Sequence, residues 1–313
     1  MSAKVSIVIP VFDKAQWIEE TLTSVANQSY KNWECIIVDD GSTDSSLSKV
    51  RDFIEKTPGN WKVITQPNQG QCVARNRGIE ESAGEFIAFL DGDDCWAENK
   101  LEVQIEMLLQ NEGASLVICP YRIYREGEGN GRFVYHRNTQ KMLKNWLNLS
   151  GFGGGTESTG LARKSALVSL GGFDPELSTS AGLDLTLRLN ELGKILTAKN
   201  TYMKYRIHTG QWHSNIEILT QDLALLRAKH QDSSYISRSN LVSKHSAYLR
   251  LQKLRQDSSL MNFMALSREC ATNLNLLVLL YCILRRNLVA RTRAKFPGLL
   301  SKIPRQYFKD LFS

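Results

Sequence analysis

Residues 85–96 read Glu85-Phe-Ile-Ala-Phe-Leu-Asp-Gly-Asp-Asp-Cys-Trp96, and this stretch decides how the rest of the chain is read. Residues 86–90 form an unbroken apolar run of strand length, which predicts a strand covered on both faces. The run stops abruptly at Asp91, Gly92, Asp93 and Asp94. Like charges about 4 Å apart repel by roughly 4 kcal/mol at an effective dielectric near 20. Carboxylates crowded at the end of a buried strand therefore need solvent, a proton or a cation. A hard divalent cation takes oxygen ligands and leaves positions open for phosphate oxygens. A solvated acidic turn is the plainer account of three aspartates. The buried strand ahead of them, and the tight turn that Gly92 allows, favour a metal site.

The same pattern is found upstream. Residues 5–11, Val-Ser-Ile-Val-Ile-Pro-Val, predict a buried strand whose ladder Pro10 ends, with Phe12 and Asp13 just beyond it. Residues 15–28 place Trp17, Ile18, Leu22 and Val25 on one helical stripe. Residues 34–38 predict a second strand, stopped by Asp39-Asp40-Gly41-Ser42, and Ser42 or Thr43 suits the cap of a helix running to about residue 55. A third strand is expected at 61–65 and a third helix at 70–82. Alternating strands and helices imply a mostly parallel α/β sheet flanked by helices. Ligands of such sheets bind outside the carboxyl ends of the strands. Phe12, Asp13, Asp39, Asp40, Asp91, Asp93 and Asp94 all fall at those ends.

Composition narrows the field. The 313 residues suffice for one large domain with an appendage, at 42% hydrophobic and 23% charged residues. Six cysteines, at 35, 72, 95, 119, 270 and 282, form no Cys-x-x-Cys pair, which argues against structural zinc and a disulfide framework. Neither a Gly-x-Gly-x-x-Gly turn after the first strand nor a phosphate loop ending in Gly-Lys-Ser/Thr is present, so a dinucleotide fold and a nucleotide triphosphatase are disfavoured. Residues 1–4 lead directly into a strand without a secretory leader, and a cytoplasmic compartment is the default expectation.

The motifs in order resemble those of family 2 glycosyltransferases, which have the nucleotide-sugar-binding, Rossmann-like GT-A fold. The matching residues are Val5-Ser-Ile-Val-Ile-Pro-Val-Phe12, Ile37-Val-Asp-Asp-Gly-Ser-Thr-Asp44, Gly70 with Ala74-Arg75-Asn76 and Gly78, and Phe89-Leu-Asp-Gly-Asp-Asp94. Gly171-Gly-Phe-Asp174, residues 185–189 and Tyr205-Arg-Ile-His208 extend the likeness to about residue 212. The resemblance implies an inverting transfer from a nucleotide diphosphate sugar. It implies that Pro10 and Phe12 line the base pocket, that Asp39 accepts a hydrogen bond from the base, and that Arg75 reaches the base or the diphosphate. Asp40 is as well suited to capping a helix as to touching nucleotide. Asp91 and Asp93 form the Asp-x-Asp motif, which with Asp94 would hold Mn2+ or Mg2+ against the diphosphate. His208 can add to that metal site.

The acceptor side departs from the family. A Glu-Asp pair commonly precedes the helix expected here at 183–192, and its Asp serves as base. This chain has Ala181 and Gly182 in those places, leaving Asp184. An inverting transfer needs a carboxylate near the acceptor hydroxyl. Asp184 is the first choice, set against a purely helix-starting role; Glu157 and Asp174 come next. A hairpin is expected at 121–135, a short helix at 140–149, and a glycine-rich loop at 151–155 that would approach the acceptor or be a plain turn. The Gln-x-x-Arg-Trp signature of processive synthases is absent; Gln211-Trp212-His213 does not supply it, which favours transfer of a single sugar.

Residues 241–313 hold 13 Lys plus Arg against three acids, whereas the formal charge of the whole chain is +7. The expected division is a catalytic domain at 1–230 and a basic α-helical C-terminal extension at 231–313. Residues 285–313 interleave basic and apolar side chains as an interfacial helix does, and each base near an anionic leaflet contributes about 1 kcal/mol. Contact with an anionic membrane surface, peripheral on its inner face, is weighed against a helical bundle packed on the catalytic domain or a second subunit. No nucleic-acid-binding motif accompanies the basic tail, and no nucleic acid partner is expected. The main expectation is a metal-dependent transferase acting on a glycan or lipid-linked acceptor in cell-surface polysaccharide synthesis. The alternatives are a polyprenyl-phosphate sugar synthase and a non-catalytic nucleotide-sugar-binding protein.

Overall fold

A computed structural model describes residues 3–125, 132–134, 157–208 and 216–230. The expectations at 140–149, 151–155, 211–213 and 231–313 lie outside the described residues. Strands β1 (Val5–Val11), β2 (Trp33–Asp39), β3 (Trp61–Thr65) and β4 (Phe86–Phe89) alternate with helices α1 (Ile18–Ala26), α2 (Ser46–Lys56) and α3 (Gln71–Glu81). After the short β5 (Cys95–Trp96) come α4 (Lys100–Leu109), β6 (Ala114–Ile118), β7 (Tyr121–Arg125), β8 (Arg132–Val134) and β9 (Gly160–Arg163). Helices α5 (Lys164–Ser169) and α6 (Ala181–Leu192), strands β10 (Lys194–Thr197) and β11 (Met203–Ile207), and helix α7 (Ile216–Lys229) complete the described chain.

Seven strands form one sheet in the order β10-β6-β9-β4-β1-β2-β3. All its pairs are parallel except those of β9 with β4 and β6. The first strand pairs β2 on one side and β4 on the other, so strand order reverses there and a crevice opens at the carboxyl ends. A four-stranded sheet, β5-β11-β7-β8, adjoins that edge and contains the expected 121–135 hairpin as β7 and β8. The apolar alternation of the strands supplies the core: Ile7, Ile9, Ile37, Phe86 and Ala88 are fully buried with Ile18, Leu22 and Val25 of α1.

Two local features explain how the crevice is built. Pro10 does not end β1, which pairs β2 as far as Val11 with Asp39. Val8 O accepts from Leu90 N on the β4 side. Pro10 has the same parity and faces that side too, beyond the last β4 pair, Val8 with Phe89. Its missing N–H therefore costs no ladder bond. Gly78 lets α3 lie directly on β1, for a Cβ there would sit 2.2 Å from Val8 Cγ1. That contact brings the buried Arg75 of α3 under the crevice.

Candidate active site

The loops leaving β1 and β2 are stitched together. Asp13, at φ 51°, accepts hydrogen bonds from the Thr43 and Asp44 N–H groups at 2.8 and 3.2 Å. Its own N–H donates to Ser42 Oγ at 3.1 Å, and Lys14 N–H donates to Ser46 Oγ at 2.7 Å. Phe12 is left 38% exposed beside the end of β2. Asp39 is buried, yet its Oδ1 has no hydrogen-bond partner among the described residues. A buried carboxylate oxygen without a donor is costly, and such groups mark places where a ligand supplies one. The neighbouring Asp40 has the structural role instead. It accepts from Gln66 Nε2, Gln69 N and Gly70 N at 2.8, 2.9 and 2.8 Å, and so fixes the entry to α3 rather than to α2.

Arg75 is no surface charge. It is fully buried, lies 5.1 Å from the Phe173 ring centroid, and donates from Nη2 to Asp91 Oδ1 at 2.6 Å. Burial works against its charge, but the carboxylates of Asp91 and Glu157 outweigh that and hold the guanidinium above its ordinary value. Asp91 keeps a partly exposed carboxylate, and its N–H donates to Ser158 Oγ at 3.0 Å. Asp93 meets Lys14 Nζ at 2.6 Å and His208 Nε2 at 3.0 Å on the same oxygen. Burial raises the Asp93 carboxyl; the His208 hydrogen bond and the Lys14 ammonium more than reverse this and bring it to about 2. His208 is in turn stacked on Trp17, with ring centroids 3.8 Å apart.

Asp94 is turned inward. It is fully buried and accepts the Arg206 N–H at 3.1 Å, while Arg206 Nε donates to the Asp93 carbonyl at 3.0 Å. Burial, then the charges of Asp93 and Asp91, push its carboxyl well up, which favours the neutral form. Asp94 thus fastens the aspartate turn to β11. Among the described residues no group of three or more ligating side chains is gathered for a metal. Magnesium-type sites, however, commonly use one or two carboxylates and complete their shell with substrate phosphates and water. The Asp93 and His208 pair, with Asp91 two residues away, fits that pattern, and Lys14 compensates Asp93 in this structure.

Asp184 lies in the first turn of α6 and is buried. Arg188 Nε donates to its Oδ2 at 2.8 Å, and His230 Nε2 meets its Oδ1 at 2.7 Å. Arg188 also donates to the Leu170 and Gly172 carbonyls, both at 2.9 Å. The carboxylate joins α6 to α7 and to the Gly171-Gly172 turn, with both oxygens engaged. Burial raises its carboxyl, but His230 and Arg188 win and lower it. The sequence reading overlooked Lys14, Ser158 and Arg206. Lys14, a cation directly after the first strand of an aspartate-rich sheet, was the one with a readable position.

Residues 6–167, just over half the chain, match the family model described as Glycosyl transferase family 2. The chain belongs to that family. A curated relative from Escherichia coli, the UDP-Glc:alpha-D-GlcNAc-diphosphoundecaprenol beta-1,3-glucosyltransferase WfgD, is 38% identical over 45% of this chain and 55% of its own. Two uncharacterized glycosyltransferases, of Haemophilus influenzae and Rickettsia bellii, align over 43% and 20% of their lengths, so the chain spans about half or less of these three relatives. Among solved structures, S. aureus TarS 1–349 in complex with UDP-GlcNAc superposes at a TM-score of 0.60 with 20% identity, over 82% of this chain and 73% of its own. The mannosyltransferase PcManGT from Pyrobaculum calidifontis, in complex with GDP-Man and Mn2+, superposes at 0.60 with 19% identity, over 88% and 81%. At such identities these two establish the fold, which is GT-A.

Proposed function

We propose that this family 2 member is an inverting, metal-dependent glycosyltransferase. It moves one sugar from a nucleotide diphosphate sugar to a hydroxyl of a glycan or lipid-linked acceptor in surface polysaccharide synthesis. The observation that carries the reading is Asp39 Oδ1, buried without a donor beside the exposed Phe12 ring. A base stacked on Phe12 with a ring N–H aimed at Asp39 would satisfy both. The named activity of WfgD supports a lipid-linked acceptor. The ligands of TarS and PcManGT support the donor class. In this reading residues 1–230 are the catalytic domain, and the basic residues 231–313 hold it to an anionic membrane surface on the cytoplasmic side.

In the transfer, the acceptor oxygen bonds to the anomeric carbon as the bond from that carbon to the diphosphate oxygen breaks. The electron pair leaves with the nucleoside diphosphate. Asp93 and His208, with Asp91, would hold Mn2+ or Mg2+, which as a Lewis acid neutralises the leaving diphosphate. Lys14 and Arg75 add fixed positive charge on the same side, and Pro10 shapes the wall behind Phe12. Asp94 keeps the turn in place.

Titration of UDP-glucose, UDP-N-acetylglucosamine and GDP-mannose, with and without Mn2+, tests this. One donor is expected to bind at least tenfold more tightly with the metal, and Asp93→Ala is expected to erase that gain. Affinity indifferent to metal, or unchanged in Asp93→Ala, removes the metal assignment. Failure of every donor to bind removes the transferase reading. The engagement of both Asp184 oxygens favours one second reading, a protein that binds donor and does not turn it over.

A further inference from the structure

Granted the transferase reading, we propose that Glu157 is the carboxylate that takes the proton of the acceptor hydroxyl, and that residue 182 is glycine because the Glu157 carboxylate lies there. Gly182 is the second residue of α6 and is buried. A Cβ on it would stand 1.8 Å from Glu157 Oε1, 2.1 Å from its Cδ and 2.3 Å from its Oε2. A side chain at 182 would require the Glu157 carboxylate to swing away from this position. The carboxylate therefore reaches the start of α6 from the opposite wall, the segment leading into β9.

Three observations direct it into the reaction crevice rather than to the surface. The next residue, Ser158, fixes Asp91 by accepting its N–H at 3.0 Å, and its carbonyl accepts Trp96 Nε1 at 2.7 Å. Glu157 is thus anchored directly beside the aspartate turn. Its charge acts on the buried Arg75, the guanidinium that pairs with Asp91. It acts also on Cys72, one turn earlier on α3. Glu157 itself is only half-buried, whereas Asp184 is fully enclosed. Asp184 is held by Arg188 and His230. Of the carboxylates at the start of α6, Glu157 is the one that adjoins Arg75 and Asp91.

In the step assigned to it, a carboxylate oxygen of Glu157 accepts the hydroxyl proton while the acceptor oxygen forms its bond to the anomeric carbon. The nucleoside diphosphate leaves with the electrons of the broken bond. Glu157 ends neutral and returns its proton to solvent. No co-reactant is needed beyond donor and acceptor.

The test uses the full chain, Mn2+ and the same three nucleotide sugars, with octyl glucoside and water as acceptors. Nucleoside diphosphate release gives kcat, and titration gives donor Kd. Glu157→Gln is expected to lower kcat by about 10²–10⁴-fold, the usual range for a general base, with donor Kd within twofold. Glu157→Ala with Gly182→Asp, which resupplies a carboxylate from α6 into the freed space, is expected to recover at least tenfold over Glu157→Ala alone. A purely structural Glu157 would not give that recovery. Glu157→Gln within threefold of wild-type kcat, or a kcat loss matched by lost donor affinity, overturns the proposal. So does a wild-type chain that binds donor and releases nothing. A wild-type chain that binds no donor fells the transferase reading, and this inference with it.

Discussion

Asp39 and Asp184 are both buried aspartates at an end of a secondary-structure element, and their surroundings could hardly differ more. One oxygen of Asp39 has no donor, whereas both oxygens of Asp184 are held, by Arg188 on one side and His230 on the other. The contrast extends to the regions around them. The nucleotide half, formed by the loops after β1, β2 and β4, leaves polar atoms and an aromatic face for something outside the chain. The segment 174–184 is instead closed by its own protein. Asp222 of α7 accepts from the Ser178 and Ser180 N–H groups at 3.0 and 2.9 Å, and Lys229 reaches Asp174 and Glu176. A carboxylate's role is thus decided less by its burial than by whether the protein itself supplies its cations and donors.

The comparison breaks first if Asp184 is removed. Removing one partner of a buried ion pair typically costs about 3–5 kcal/mol, and Asp184→Ala is expected to lose stability of that order in urea unfolding. Donor affinity should be nearly unchanged, because the lost group holds α6 to the end of α7. The pH dependence follows from the sign of the shift. The folded Asp184 carboxyl lies below its ordinary 3.8, so its contribution is complete above that value and is lost as pH falls through the folded value. The stability gap between wild type and Asp184→Ala should therefore narrow below pH 4. A gap that is constant from pH 7 to pH 3 would show that the clasp does not depend on the ionised carboxylate.

Asp39→Asn should behave in the opposite sense. Hydrogen bonds to charged groups are worth about 1.5–3 kcal/mol, so nucleotide affinity should fall roughly 10- to 100-fold. Folding stability should hold or rise, since a buried charge with an unmet oxygen is removed. Loss of stability without loss of nucleotide affinity would exchange the roles assigned to the two aspartates.

The nucleotide half was legible because its chemistry is local in sequence. Asp39 and Asp91 directly follow apolar runs, and a parallel sheet brings strand ends together without further information. Arg75 was readable as a family motif but not as a buried residue. The rest depends on long-range pairing: Lys14 meets Asp93 across 79 positions, and His208 meets it across 115. Asp184 finds His230 46 residues later, directly after α7. Glu157 over Gly182 is a relation of space, which no residue pattern encodes. Three elements were missed outright, the two-residue β5 among them. The four residues of β10 are too few to show a period. Helix α4 opens with Lys100, which is fully buried 4.0 Å from the Trp96 ring centroid and pushed down to about 8 by burial, contrary to what a lysine predicts.

The smallest effect tests how far the clasp of α7 extends. Lys229 bridges Asp174 and Glu176 where all three side chains are partly or largely exposed to solvent. Exposed pairs contribute about 0.2–1 kcal/mol and weaken with salt. Lys229→Met should therefore cost less than about 1 kcal/mol, and the difference from wild type should vanish in 1 M NaCl. The buried contacts of Asp184 and Asp222 are shielded from bulk ions, so the destabilisation by Asp184→Ala should persist at the same salt. If Lys229→Met cost as much as Asp184→Ala, the clasp would lie at the surface end of α7, and the buried His230 contact would be a consequence of it rather than its cause.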